Sequence, residues 1–302
     1  MLAQLLRRIL CVQALAGAAL GYWWWGTVPG AIALALLLPV AVLLVTDLVS
    51  ALVTRGPEPW GPWWRALGGE MWAGLEIFLL RQPWERRAPR YLPATGSTPR
   101  VPVVLVHGYL CNHRIWDRTI PQLRAQGHAV LAVDLEPVFA SIDDYPARIE
   151  AAVAAVLLHT GQAQVALVGH SMGGLAIRAW LRKYGTAHVA RVLTLGTPHA
   201  GTKLARGTRT PNGLQMLWRS PWLATLASTE DDALRSLLRV AITPQDNIVY
   251  PQRAQTLPGI TPTVFPGIGH LQMCLDPDVT TWVLRELAEL SPVFHATETT
   301  HD

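Results

Sequence analysis

Charge is scarce in this chain. Asp, Glu, Lys and Arg make up 15% of its 302 residues, against a usual share of roughly 25%. The arginines are scattered, with no Lys/Arg run and no basic stripe interleaved with aromatics. The formal net charge of +4 therefore does not point to nucleic acid, and anionic lipid headgroups are the expected partner. Cysteine is almost missing as well. Cys11, Cys111 and Cys274 provide neither a disulfide framework nor a metal-ligand spacing, so a reduced compartment is the default. A Cys111–Cys274 disulfide would contradict a cytoplasmic placement. No H-E-x-x-H motif and no Cys/His cluster occurs, so neither a metal nor any other cofactor is implied. No internal repeat is visible. What the chain does have is apolar bulk: half of it is hydrophobic and thirteen residues are Trp, an excess that is local rather than evenly spread.

Two nearly charge-free runs, Ile9 to Trp25 and Ala31 to Val53, flank the turn-forming stretch Gly26-Thr27-Val28-Pro29-Gly30. Residues 1–55 read as a membrane hairpin of two transmembrane helices. The first run contains Gln13 and is at the short limit for a span; the second carries Pro39 inside and Asp47 near its far end. Trp23, Trp24 and Trp25 suit an interfacial belt at the turn. Arg7, Arg8 and Arg55 flank the opposite ends, which the positive-inside rule places in the cytoplasm. The expectation is a multi-pass protein of a bacterial-type inner membrane with the remainder of the chain on the cytoplasmic side. A cleaved signal peptide competes with this reading, but the second run would then act as a stop-transfer and leave the rest on the same side. Residues 56–100 mix Trp60, Trp63, Trp64, Trp72 and Trp84 with Arg65, Glu70, Glu76 and Arg81. They are expected to form an interfacial amphipathic helix, or alternatively one packed on the following domain, and then a linker from Arg86 to Arg100.

From residue 101 the pattern changes to short β-rich runs alternating with helical stretches, which argues for βαβ units and a mostly parallel sheet flanked by helices. The expected strands are Val103–Val106, Ala129–Val133, Val165–Val168 and Val192–Leu195; helices are expected over Tyr145–His159 and Leu175–Tyr184. The third strand runs into Gly169-His170-Ser171-Met172-Gly173-Gly174 and then a helix. That is a G-x-S-x-G nucleophile elbow in its required strand–turn–helix context. Gly169 and Gly173 permit close backbone packing around a strained Ser171, and the following helix aims its positive end at the site.

With Val106-His107-Gly108-Tyr109 after the first strand and Gly196-Thr197-Pro198-His199-Ala200-Gly201 after the fourth, residues 101–290 resemble the α/β-hydrolase family, and more narrowly the bacterial triacylglycerol lipases and related esterases. The resemblance does not cover the first 100 residues. It implies an α/β-hydrolase fold with Ser171 as nucleophile and the backbone N–H groups of Tyr109 and Met172 as oxyanion hole, supported by His107 and Gly108. The family order of Ser, acid, His implies His270, in Pro266-Gly267-Ile268-Gly269-His270, as base. His188 and His199 lie in loops, and His295 and His301 in a polar tail, residues 291–302. The acid is implied to be Asp246, in Thr243-Pro244-Gln245-Asp246-Asn247-Ile248-Val249. Asp231 and Asp232 fall in the inserted helices, Asp276 and Asp278 follow the His, and Asp134 suits loop organisation. His170 is expected to be non-catalytic. Residues 202–238, with Leu214, Met216, Leu217, Trp218, Pro221, Trp222, Leu223 and Leu226, take the position of a lipase lid or simply pack as core.

The expected function is a membrane-anchored serine hydrolase that cleaves carboxylic esters of lipid or other acyl substrates through an acyl-enzyme, with no cofactor. Acyl transfer, amide or thioester cleavage on the same fold is an alternative. A non-catalytic membrane-bound interaction module is another, against which the intact Ser171, Asp246 and His270 stand.

Overall fold

The computed structural model describes residues 1–85 and 88–294; His295 and His301 lie outside the described residues. The chain opens with two long helices, α1 (Leu2–Trp25) and α2 (Val28–Val53). Gly26 ends α1 at φ 63°, a left-handed conformation that costs a residue without Cβ little. Thr27 then caps α2, its hydroxyl accepting the Gly30 N–H. The two apolar runs thus fold back along each other, and by length and composition both could cross a membrane.

The next helix, α3 (Trp60–Gly74), continues through a π-helical stretch, Leu75–Arg81. One face is buried: Ala73 and Ile77 are fully enclosed and share an apolar cluster with Val103, Leu105 and Trp282 of the sheet domain. Trp60, Trp64, Trp72 and Trp84 are exposed. The Trp-rich helix expected at the membrane interface thus packs its buried face against one side of the sheet, as in the alternative reading.

The remainder alternates β1 (Val103–Val106), α4 (Thr119–Ala125), β2 (Val130–Val133), α5 (Pro146–Thr160), β3 (Val165–His170), α6 (Met172–Tyr184) and β4 (Val189–Leu195). Three short helices, α7 (Pro211–Gln215), α8 (Pro221–Ser228) and α9 (Asp232–Ser236), lead to β5 (Leu238–Ile242), β6 (Thr263–Val264) and α10 (Pro277–Ala288). All six strands are parallel in the order β2-β1-β3-β4-β5-β6. Parallel neighbours need crossover segments, and these cover both faces of the sheet, so β1 and β3 are wholly buried and, apart from Gly169 and His170 at the end of β3, apolar. Alternation splits them: Val104, Val106 and Leu167 face α5 and α6, while Val103, Leu105 and Val168 face α10 and the end of α3. From β1 the chain moves to β2 on one side, then returns past β1 to β3 on the other. In open α/β sheets ligands bind at the carboxyl ends of strands where the order reverses in this way, and both glycine-bearing motifs, after β1 and after β3, lie at that point.

Candidate active site

Ser171 sits between the last residue of β3 and the first of α6, at φ 54° and ψ −128°. A non-glycine residue with positive φ is strained, and such strain persists only where the surroundings impose it. Here the surroundings are close. The Ser171 N–H is held by the Leu195 carbonyl at 2.8 Å, and a Cβ added at Gly108 would lie 2.7 Å from the Ser171 Cβ. Gly173 faces the Val106 and His107 carbonyls with no room for a side chain. Met172 is the first residue of α6, so its N–H has no acceptor within the helix and points with the helix dipole. Tyr109 follows Gly108 in the loop after β1 and lines the same cavity as Ser171.

The loops after β5 and β6 are joined side by side. Gln245 Oε1 accepts the Gly267 N–H at 2.6 Å and the Thr243 hydroxyl donates to the Ile268 carbonyl at 2.5 Å. This register sets Asp246 beside His270. His270 Nδ1 donates to Asp246 Oδ2 at 2.7 Å, while Asp246 Oδ1 accepts the N–H groups of Ile248 (2.8 Å) and Val249 (2.6 Å). Both side chains are about 3% exposed. Burial alone would lower the imidazole, but the charge and hydrogen bond of Asp246, with the charge of Glu70, outweigh it and hold His270 above the ordinary 6.5. With Nδ1 committed to Asp246, Nε2 remains for the cavity that His270 lines together with Ser171.

Other histidines have defined structural partners. His107 Nε2 accepts the Leu135 N–H at 2.9 Å and Nδ1 donates to the Gly108 carbonyl at 2.8 Å, which tethers the loop after β1; burial lowers its pKa, in keeping with this neutral form. His170 donates to the His270 carbonyl at 3.0 Å and is held well below 6.5 by burial and by His270. His199 accepts from Arg178 at 3.3 Å and donates to the Thr194 hydroxyl at 3.0 Å. Arg178 is itself paired bidentately to buried Glu230 at 2.6 and 2.9 Å. Asp134 accepts the backbone and ring N–H groups of His113. Glu85, His113 and Asp134 bring one ligand atom each within 4.8 Å of one another; with His113 already clamped to Asp134, the group reads as a loop fastening. Cys111 and Cys274 are buried free thiols, pushed up by burial, Cys111 to about 12.

Two features of the site have no sequence motif. Glu70 of α3 is buried against the loop that carries His270, accepting the Leu271 N–H at 3.0 Å and the Gln272 N–H at 3.1 Å. Burial raises its carboxyl to about 6, although His270 and these N–H groups pull the other way. The second is the cavity of about 370 Å³ beside Ser171, which α1 and α2 help to enclose. Residues 202–238 line none of it among the described residues; Met216, Leu223 and Leu226 pack instead into the cluster around α5 and α6.

Comparison with known proteins agrees with this fold. Residues 101–217 match the model of the alpha/beta hydrolase fold family. A triacylglycerol lipase of Pseudarthrobacter phenanthrenivorans is 32% identical over 188 residues, covering 55% of this chain and 58% of the relative. A triacylglycerol lipase of Burkholderia plantarii is also 32% identical over 188 residues, covering 55% of this chain and 52% of the relative. The match thus spans little more than half the length of either relative. Among solved structures, the mature form of the Bacillus licheniformis lipase BlEst2 superposes with a TM-score of 0.55 at 19% identity, covering 67% of this chain and 99% of that one. The chain has the α/β-hydrolase fold, and over 188 residues its sequence is similar to triacylglycerol lipases.

Proposed function

We propose that the protein is a membrane-anchored serine hydrolase that cleaves carboxylic esters carrying a substantial acyl chain. The observation that carries this is the 2.7 Å bond between His270 Nδ1 and Asp246, with His270 lining a cavity shared with a serine on a strained strand-to-helix turn. A serine hydroxyl is a weak nucleophile at neutral pH and needs a base whose tautomer is held by a carboxylate. His270 Nε2 takes the Ser171 proton as Oγ attacks the ester carbonyl. The Tyr109 and Met172 N–H groups then hold the oxyanion. On collapse the proton passes from Nε2 to the departing alcohol, and water, activated by the same nitrogen, releases the acyl group and frees Ser171. Asp246 keeps the imidazole oriented and stabilises its charge throughout.

The hairpin α1–α2 serves as the anchor. Both of its ends are tied to the rest of the chain: the Leu2 N–H donates to Glu136 at 3.2 Å, Arg7 to the Pro83 carbonyl at 2.7 Å, and Ser50 to the Asn247 carbonyl. Two spans return the chain to its starting side, and Arg7, Arg8 and Arg55 favour the cytoplasmic one. Hydrolysis of p-nitrophenyl esters of graded chain length, by wild type and Ser171→Ala in detergent, tests the activity. Turnover retained in the variant would refute it. Protease digestion of sealed vesicles tests the anchor; cleavage of residues 101–294 from the periplasmic side would refute the cytoplasmic placement.

A further inference from the structure

We infer that the membrane hairpin is half of the acyl-binding site: the acyl chain of a bilayer lipid ester lies between α1 and α2 on one side and the Ser171 loop on the other. This rests on the reading of Ser171 as nucleophile. Leu6, Ile9 and Leu10 of α1 and Pro39, Val42 and Leu43 of α2 line the same cavity as Ser171 and His270. These six side chains are apolar, while Gln13 of α1 and Thr46 and Asp47 of α2 also reach the cavity. The reactive pair Ser171 and His270, with Glu70 and His170, lies on the opposite side, toward the sheet domain. Space that is mainly apolar on one side and carries the reactive groups on the other suits a chain ending in an ester. The cavity volume of about 370 Å³ falls within the ordinary range of small-molecule sites, roughly 300–1,000 Å³.

The direction of entry follows from exposure. Ile9 and Val42 line the cavity yet are 44% and 40% exposed, so they form an apolar rim on helices long enough to cross a membrane. In water such a rim is a liability; in a bilayer it faces acyl chains. A lipid tail entering there leaves hydrocarbon for a mainly apolar wall and brings its ester to Ser171 without passing through water. The hairpin's base is also joined to the acid loop. Gln252 Nε2 donates to the carbonyls of both Thr54 (2.9 Å) and Asp246 (2.7 Å), which fixes the hairpin wall relative to the Asp246–His270 pair. The hairpin thus stands where a lid over the acyl pocket would be sought, while the helices of residues 202–238 pack elsewhere.

The test is a fluorophosphonate with a long alkyl chain and a diazirine near its end, reacted with the full chain in phospholipid nanodiscs, irradiated and mapped by peptide mass spectrometry. The inference expects one adduct at Ser171 and cross-links within residues 6–10 and 39–43. An adduct at Ser171 with cross-links confined to residues 202–238, or to lipid alone, would overturn the hairpin site and leave the nucleophile standing. No adduct at Ser171 in folded protein would overturn both.

Discussion

Asp246→Asn should cost about 10⁴ in kcat/KM while leaving the fold intact. Oδ1 of Asp246 is held by the N–H groups of Ile248 and Val249 at 2.8 and 2.6 Å. An asparagine there must therefore place its carbonyl oxygen on those donors, which turns its NH₂ toward His270 Nδ1. Two donors cannot face each other, so the imidazole proton moves to Nε2 and the nitrogen needed to accept the Ser171 proton is blocked. The tautomer penalty in such triads is about 10⁴-fold, or roughly 5.4 kcal/mol of transition-state stabilisation. Because both backbone bonds are retained, the melting temperature should change little. The assay is steady-state hydrolysis of a short, water-soluble ester beside a thermal melt of the same samples. A loss of less than about tenfold in a folded variant would show that Asp246 does not set the tautomer of His270.

Four other outcomes are expected. Arg178→Met should destabilise the protein by about 3–5 kcal/mol by leaving Glu230 buried without its partner at 2.6 Å, whereas Arg178→Met with Glu230→Leu should recover most of the loss; thermal melts in which the double variant is as unstable as the single would refute this. Glu70 helps to hold His270 above 6.5, so the base is protonated, and idle, up to a higher pH than usual; Glu70→Gln removes that charge and should move the acid limb of kcat/KM to lower pH. An unmoved limb would show that Glu70 acts only on the backbone of Leu271 and Gln272. Leu10→Trp should lower the ratio of long- to short-chain kcat/KM by roughly tenfold or more, since a single methylene in an apolar pocket decides about 1–3 kcal/mol, whereas Leu36→Trp, on an exposed face of α2, should leave it unchanged. Gly108→Ala should abolish turnover, because its Cβ would lie 2.7 Å from that of Ser171; near-normal rates would mean that the loop after β1 yields freely.

The sheet was legible because its signals are local. Val103–Val106 and Val165–Val168 are apolar runs bounded by glycine-bearing turns, and a buried parallel strand has no other pattern. The apolar pattern alone ends β3 at Val168, whereas the ladder continues through Gly169 and His170 to the elbow. The turn at Ser171 was readable for the same reason as the strands: the glycines that permit the close packing are its neighbours in sequence. The contribution of Glu70 was not, since it meets Leu271 across 201 residues and sits in a Trp-rich helix whose composition suggests an interface. Its burial is decided by which face of α3 meets the sheet, and helical periodicity cannot say what a face will meet. The cavity is hidden in the same way. Leu6, Leu10 and Leu43 look like any lipid-facing leucines until the fold sets them opposite Ser171. The helices of residues 202–238 carry enough apolar side chains for either a lid or core, and their packing against α6 rests on contacts such as Arg178–Glu230 that no local pattern encodes.

The most direct test of the central claim is reaction of the detergent-solubilised protein with a fluorophosphonate, wild type beside Ser171→Ala, followed by intact-mass and peptide mapping. The account predicts a single phosphonyl adduct on the peptide containing Ser171 and none in the variant. A well-folded wild type that stays unlabelled, or a variant labelled as fast as wild type, would contradict it.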